Sequence, residues 1–307
     1  MDTKRSFKVR LAGGFLRLLG RLPLGWHRFW ARVLAWLLQR VLRYRTQIVS
    51  TNLARSFPEK NYEALEDIQD RFYRHFATTF TEMIWFGACR GPKGRERLHR
   101  SHIVEFTNPE ELNRLVAAAP QLMLLEAHTG NWELIGGINL YSYTEPMDIT
   151  PQTVTVAYHG IYDKVWAQVM ADGRTAPVRD QDFQGYVHTD SILRYALSHR
   201  HDKRCYIMIT DQYPYMHNGS LTVEFMHQRT RSMDGAAALA CKLGMSCGYL
   251  RYRCREDGGY TLTVIPLADN ASETTPEALM KRYYQLLEED LHAQPWNYLW
   301  SHKRWKV

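Results

Sequence analysis

The chain has 307 residues, 45% of them apolar and 12% aromatic, and carries 39 Lys or Arg against 32 Asp or Glu. That apolar content excludes a disordered chain, and the length suits one large α/β domain with an added element better than two small domains. The net charge of +7 is unevenly placed: residues 1–45 hold eleven Lys or Arg and one acid, Asp2, so the basicity belongs to an amino-terminal arm.

Within the arm, Pro23-Leu24-Gly25 separates a short first helix from a longer second one. Its longest uncharged run, Val33 to Gln39, falls far short of the roughly 20 apolar residues of a bilayer span. At helical spacing Arg28, Arg32, Gln39 and Arg43 share one face, and Trp26, Trp30, Val33, Leu37 and Val41 share the opposite one. This pattern predicts an interfacial helix, with arginines toward anionic headgroups and tryptophans at headgroup depth; an amphipathic helix packed on the domain is the alternative. The arm has neither the apolar segment nor the cleavage site of a secretory signal, so none is expected.

Tyr62 to Phe86 is helical by period, with Ile68, Phe72, Phe76, Phe80 and Met83 on one stripe, and Gly91-Pro92-Lys93-Gly94 then marks a loop. Beyond it, short apolar segments alternate with helical ones. Strands are predicted at 121–127, 153–158, 204–210, 222–226, 246–254 and 260–266, and helices at 110–118, 131–141, 162–171, 190–198, 233–243 and 275–292. The alternation predicts an α/β fold: a single domain, residues 46–307, with a mixed, mostly parallel central sheet flanked by helices, plus the amphipathic membrane-associating helical arm, residues 1–45. Glu256-Asp257-Gly258-Gly259 reads as a hairpin turn, so the last strands are expected to be antiparallel.

The apolar run Leu122 to Ala127 leads into His128-Thr129-Gly130-Asn131-Trp132-Glu133, a histidine at a strand's carboxyl end with a carboxylate one turn into the next helix. A second apolar run, Tyr206 to Thr210, ends at Asp211-Gln212. If the two strands are parallel, these polar groups open on one edge of the sheet, where ligands of α/β proteins bind. His128 is then a candidate general base, although a strand-end histidine is also commonly structural. Glu126 and Glu133 compete as its partner. Glu133 is preferred, because Glu126 would have to be charged inside the sheet. The turn N–H groups after His128 are candidates to stabilise an oxyanion.

Other features carry less. Gly244-Met245-Ser246-Cys247-Gly248 satisfies G-x-S-x-G but follows a helix and enters a strand, the reverse of a nucleophile elbow. His99 with His102, and His199 with His201, lack metal-ligand spacing, and no metal or bound cofactor is expected. The five cysteines form no Cys-x-x-Cys pair, which fits a reducing compartment. The aromatic and basic stretch Pro295 to Lys306 is read as a tail docked on the domain, with His302 or Arg304 near the site; nucleic acid is not expected, since the rest of the chain lacks a basic field.

These residues together resemble the lipid A biosynthesis late acyltransferase family, of the lysophospholipid acyltransferase-like fold. The resemblance covers nearly the whole chain: Tyr44-Arg45, Asn52-Leu53, Ser56-Phe57-Pro58, Phe72-Tyr73-Arg74-His75-Phe76, the His-x4-acid motif His128 to Glu133, Asp211-Gln212, and Trp300-Ser301-His302-Lys303-Arg304-Trp305. It implies transfer of a fatty acyl group from acyl carrier protein thioester to a hydroxyl of a lipid A precursor glycolipid at the cytoplasmic face of the inner membrane. It also implies His128 as base with Glu133 as partner, Asp211 as a further site residue, and an arginine for which Arg174 is the nearest match and Arg179 the alternative. Asn131 and Gln212 join these as substrate or oxyanion contacts. Tyr158-His159-Gly160 stands where many relatives carry a Pro- and Asn-rich loop. Direct transfer without an acyl-enzyme is expected, as no activated serine or cysteine is evident. Another membrane-lipid acceptor, or a catalytically silent membrane scaffold, are the competing readings.

Overall fold

In the computed structural model, which describes residues 7–160, 163–214 and 221–306, the central sheet has seven strands. They are β1 (Val104–Phe106), β2 (Gln121–Glu126), β3 (Val154–Tyr158), β4 (Tyr186–His188), β5 (Arg204–Ile209), β8 (Ser246–Cys254) and β9 (Tyr260–Ala268), in the spatial order β1-β9-β8-β2-β5-β3-β4. All neighbours are parallel except β8 and β9, which form the expected antiparallel hairpin. The α/β expectation of a mixed, mostly parallel sheet flanked by helices therefore holds. The segment expected as a strand at 222–226 lies outside this sheet: β6 (Thr222–Phe225) pairs only with β7 (Gln228–Arg231) in a separate hairpin.

Strand β2 is buried on both sides, as a central parallel strand requires. Met123 and Leu125 enter the apolar layer that also holds Tyr283, Leu287 and Trp300, while Leu122 and Leu124 enter the opposite layer with Phe86, Leu112 and Leu262. Helix α9 (Gly235–Leu243) and helix α10 (Pro276–Ala293) cover the first face. Helix α6 (Pro109–Ala118) covers the second. The long helix α4 (Tyr62–Phe86) starts at an Asn61 cap and contributes to both layers.

The loop expected at Gly91–Gly94 is instead the first turn of helix α5 (Gly91–Ser101). Pro92 stands in its first turn, where the missing N–H would have no helical partner anyway. The segment expected as an α-helix at 131–141 is a 3-10 helix, Trp132–Leu140. Gly136 explains why it lies so close to its neighbour, since a Cβ there would sit 1.9 Å from the carbonyl oxygen of Arg174. Tyr162, in the helix expected at 162–171, lies outside the described residues; helix α7 runs from Lys164 to Arg174 behind an Asp163 cap.

The arm, described from Phe7 onward, forms helix α1 (Phe7–Gly20) and helix α2 (Leu24–Trp36), followed by a π-helical turn, Leu37–Val41. Helix α2 lies along α4 with His27, Ala31 and Ala35 buried. The expected polar stripe is divided. Arg28 turns inward to Glu82 and Gln39 bonds Asp70, whereas Arg32 and Arg43 are exposed. The expected apolar face is open to the outside, with Trp26, Trp30, Val33, Leu37 and Val41 all exposed; Trp36, outside that set, is 59% exposed, and Phe7, Leu11, Phe15 and Leu18 of α1 are exposed as well. No described helix is long and apolar enough to cross a membrane.

Candidate active site

The parallel register of β2 and β5 sets Glu126 beside Ile209, so the residues that follow both strands meet at one sheet edge. There His128 Nδ1 lies 2.7 Å from Asp211 Oδ1, which also accepts the His128 backbone N–H at 3.2 Å. Because the carboxylate accepts the Nδ1 proton, Nε2 carries the lone pair, and it accepts from the Gln212 side-chain amide at 3.2 Å. That tautomer turns an unprotonated ring nitrogen toward the cavity. Trp132 packs edge-on to the imidazole, 5.2 Å between ring centroids, and limits water at that side.

Asp211 is buried, and its own desolvation pushes its pKa up; the His128 ring, then His302 and Arg304, outweigh that and hold the carboxyl below its usual value. Arg304 is a fully buried guanidinium whose hydrogen bonds go to the neutral Tyr284 and Thr230 hydroxyls. The tail is docked as expected, and it brings both His302 and Arg304 within the field of Asp211. Burial pushes the His302 imidazole down to about 4, so it stands neutral beside the dyad.

The Glu133 carboxylate, expected beside His128, faces Arg174 instead. Its two oxygens accept from Arg174 Nε and Nη2, each at 2.6 Å, in a bidentate pair. The cause is the backbone path: Gly130 adopts a left-handed φ of +56°, and the 3-10 turn then carries Glu133 toward the end of α7 rather than back over the imidazole. Burial alone would lower the Arg174 pKa, but the Glu133 carboxylate raises it beyond its ordinary value. Arg179, the alternative arginine, instead pairs with Asp172 and is exposed.

The expected oxyanion donors of the turn are also engaged elsewhere. The N–H of Thr129 bonds Ala127 O at 2.7 Å, and that of Gly130 bonds Asn297 Oδ1 at 2.6 Å. Asn131 points away from the cavity, its amide donating to Glu82 Oε2 at 3.0 Å. Of the candidate site residues, His128, Gln212 and Arg174 line open space, the last also bonded to the Tyr186 hydroxyl.

They face a cavity of about 910 Å³. Its lining is mixed: polar and charged groups that include His128, Arg174, Asp190, Asp234 and Lys242 stand among a larger apolar surface formed by Val156, Ile192, Met208, Ala236 and Leu239 among others. Such a space takes a long apolar chain with its reactive end at the polar groups. Tyr186, stacked at 4.0 Å on Tyr158, and Trp132 were not anticipated; single aromatics outside a periodic run give no signal of a cavity wall. Among the described residues no cluster able to hold a metal ion is found, and all five cysteines are free.

Glu126 is fully buried and neither carboxyl oxygen has a hydrogen-bond partner. Desolvation, then the charge of Asp211, push its pKa well above the ordinary value. Its folded pKa is raised, so its contribution to stability is intact below about 4.5 and is lost as pH rises through the folded value. Glu126→Gln, neutral in both states, is therefore expected to match the parent in thermal unfolding near pH 4 and to exceed it at pH 8. Each kcal/mol gained is worth about 2–4 °C in Tm. A gap that is the same at both pH values would show that Glu126 ionises normally in the fold.

A comparison with curated protein sequences gives no match. The profile of the family described as bacterial lipid A biosynthesis acyltransferase matches residues 2–307, in agreement with the resemblance carried by His128 to Glu133 and its neighbours. A match over nearly the entire length, together with a polar sheet edge opening on a long apolar cavity, places this chain in the bacterial lipid A biosynthesis acyltransferase family.

Proposed function

We propose that the chain transfers a fatty acyl group from an acyl carrier protein thioester to a hydroxyl of a lipid A precursor glycolipid, with His128 as general base and Asp211 as its partner. The observation that carries this reading is the dyad itself, a buried carboxylate 2.7 Å from Nδ1 that leaves Nε2 free to take a proton. The acceptor hydroxyl gives its proton to Nε2 as its oxygen attacks the thioester carbonyl, and Asp211 stabilises the imidazolium that forms. Gln212 yields its contact with Nε2 to the acceptor. Arg174, fixed by Glu133, keeps a positive charge at the cavity wall, where the carbonyl oxygen becomes negative. The tetrahedral intermediate then expels the carrier thiolate, which departs readily because a thiol has a pKa of about 8.5 and which takes up the proton from the His128 imidazolium, restoring the neutral base. No nucleophile of the protein is required, and no bound cofactor takes part.

The acyl chain fits the apolar length of the cavity. Arg174 at the cavity wall suits an anionic group of the glycolipid. Incubating the protein with acyl carrier protein thioester and vesicles holding both a lipid A precursor and a phospholipid, followed by lipid mass spectrometry, tests the acceptor. A gain of one acyl mass on the glycolipid alone is expected. A gain on the phospholipid alone would overturn the acceptor assignment.

We further infer that the exposed apolar face of α1 and α2 seats the protein on the inner membrane from the cytoplasmic side. Its support is the outward set Phe7, Phe15, Phe29 and Trp36, each more than half exposed. Exposed Arg32 and Arg43 add attraction for anionic lipid. Burying an aromatic side chain is worth about 1.5–3 kcal/mol. Phe29→Glu with Trp36→Glu should thus weaken co-sedimentation with anionic vesicles by at least about tenfold while leaving Tm unchanged. Full retention of vesicle binding would contradict this seating.

A further inference from the structure

Glu82 is a fully buried carboxylate near the end of α4 that the mechanism above does not use. It receives donors from three separate parts of the fold. Oε1 accepts from Arg28 Nε of the arm at 2.9 Å, and Oε2 accepts from the Tyr260 hydroxyl of β9 at 2.8 Å and from Asn131 Nδ2 at 3.0 Å. Asn131 lies between His128 and Glu133 and is itself fully buried. Its carbonyl accepts the N–H of Leu134 and so starts the 3-10 helix that carries Glu133, while its Oδ1 has no partner. The side chain of this turn residue is therefore held by Glu82. Arg28, the cation on that carboxylate, also donates to Gly258 O at 2.6 Å and belongs to α2, whose outer side is the exposed apolar face.

Burying an ionised carboxylate is costly, and burial does raise the pKa of Glu82, with Arg28, Tyr260 and Asn131 opposing it. An apolar residue would fill this space at lower cost. What it would not do is fix the Asn131 amide, and hence the direction in which the turn leaves His128. Resting on the acyltransferase reading, we propose that Glu82 is a positioning residue that sets the His128–Glu133 turn through Asn131, and that Arg28 of the arm holds it in the state that does so. The position of α2 on its lipid surface is thereby tied to the geometry of the base.

The test uses the full-length protein in vesicles with Glu82→Gln, Asn131→Ala, their double variant, Arg28→Ala and Arg28→Lys, all checked for Tm. A misplacement of about 1 Å in a catalytic group costs on the order of 10²-fold in rate. Glu82→Gln and Asn131→Ala should each lower kcat by about 10- to 100-fold with KM nearly unchanged, and the double variant should lose no more than either alone. Arg28→Ala should lower kcat as well, and Arg28→Lys should restore most of it. Independently of turnover, amide hydrogen exchange across residues 128–134 should quicken in Glu82→Gln and Asn131→Ala, with α10 unaffected. Multiplied losses in the double variant, an unchanged kcat in folded Glu82→Gln, or unchanged exchange in that turn would each overturn the proposal. A wild-type protein that acylates no lipid would defeat the acyltransferase reading instead, and the exchange data would still decide the role of Glu82.

Discussion

Asp211→Asn is expected to lower kcat for acyl transfer by about 10²- to 10⁴-fold, the range spanned by loss of a general base, with the protein still folded. Asparagine can present its amide N–H to Nδ1. The ring would then have to protonate Nε2, the wrong tautomer for accepting a proton from the acceptor. The charge that offsets the imidazolium is lost at the same time. His128→Ala should cost a similar factor, and combining the two should add little, because they act as one unit. Steady-state kinetics on the three variants with matched circular dichroism measures this. Asp211→Asn at the wild-type rate would mean that the 2.7 Å contact serves structure alone.

Arg174→Met has the second largest consequence, and on stability first. It leaves Glu133, only 3% exposed at its side chain, without its cation. Removing one partner of a buried pair costs about 3–5 kcal/mol, here toward the lower end because 26% of the Arg174 side chain meets solvent. Glu133→Gln/Arg174→Met should recover most of that loss, since no buried charge is stranded, yet should remain slow because the cavity wall has lost its positive group. Thermal unfolding and turnover of the single and double variants separate the two effects. Were Glu133 acting on His128 directly, Glu133→Gln would match Asp211→Asn in kcat, and the double variant would not recover stability.

How much of this was legible in the sequence depends on whether the relevant contact is local. The strand ending at His128 and the one ending at Asp211 could be read from two apolar runs with polar ends, and their meeting follows once the strands are parallel. Which acid reaches the ring could not be read. Glu133 is five residues away in the chain and Asp211 is 83, and only the β2–β5 register decides that the distant one is adjacent. The turn signals were strong enough to mark Gly130 but not to reveal that the next segment winds as a 3-10 helix against α7, because that depends on the close approach allowed at Gly136.

The arm shows the same division. Its amphipathic pattern was visible in the spacing of Trp26, Trp30 and Val33, but the pattern alone does not say which face meets the protein. The answer rests on Glu82, a lone acid near Trp85 and Phe86 in α4, whose burial draws Arg28 inward and leaves the aromatic face open. A charged residue among buried aromatics was the available signal. It gains meaning only once its three donors are brought together by the fold.

The most direct test of the central claim is lipid and intact-protein mass spectrometry on one quenched reaction, run with wild type and with folded Asp211→Asn. Wild type should add one acyl mass to the glycolipid, the variant should add almost none in the same time, and neither protein should carry an acyl group. An acylated protein in the quench, or equal product from Asp211→Asn, would contradict direct transfer by the His128–Asp211 dyad.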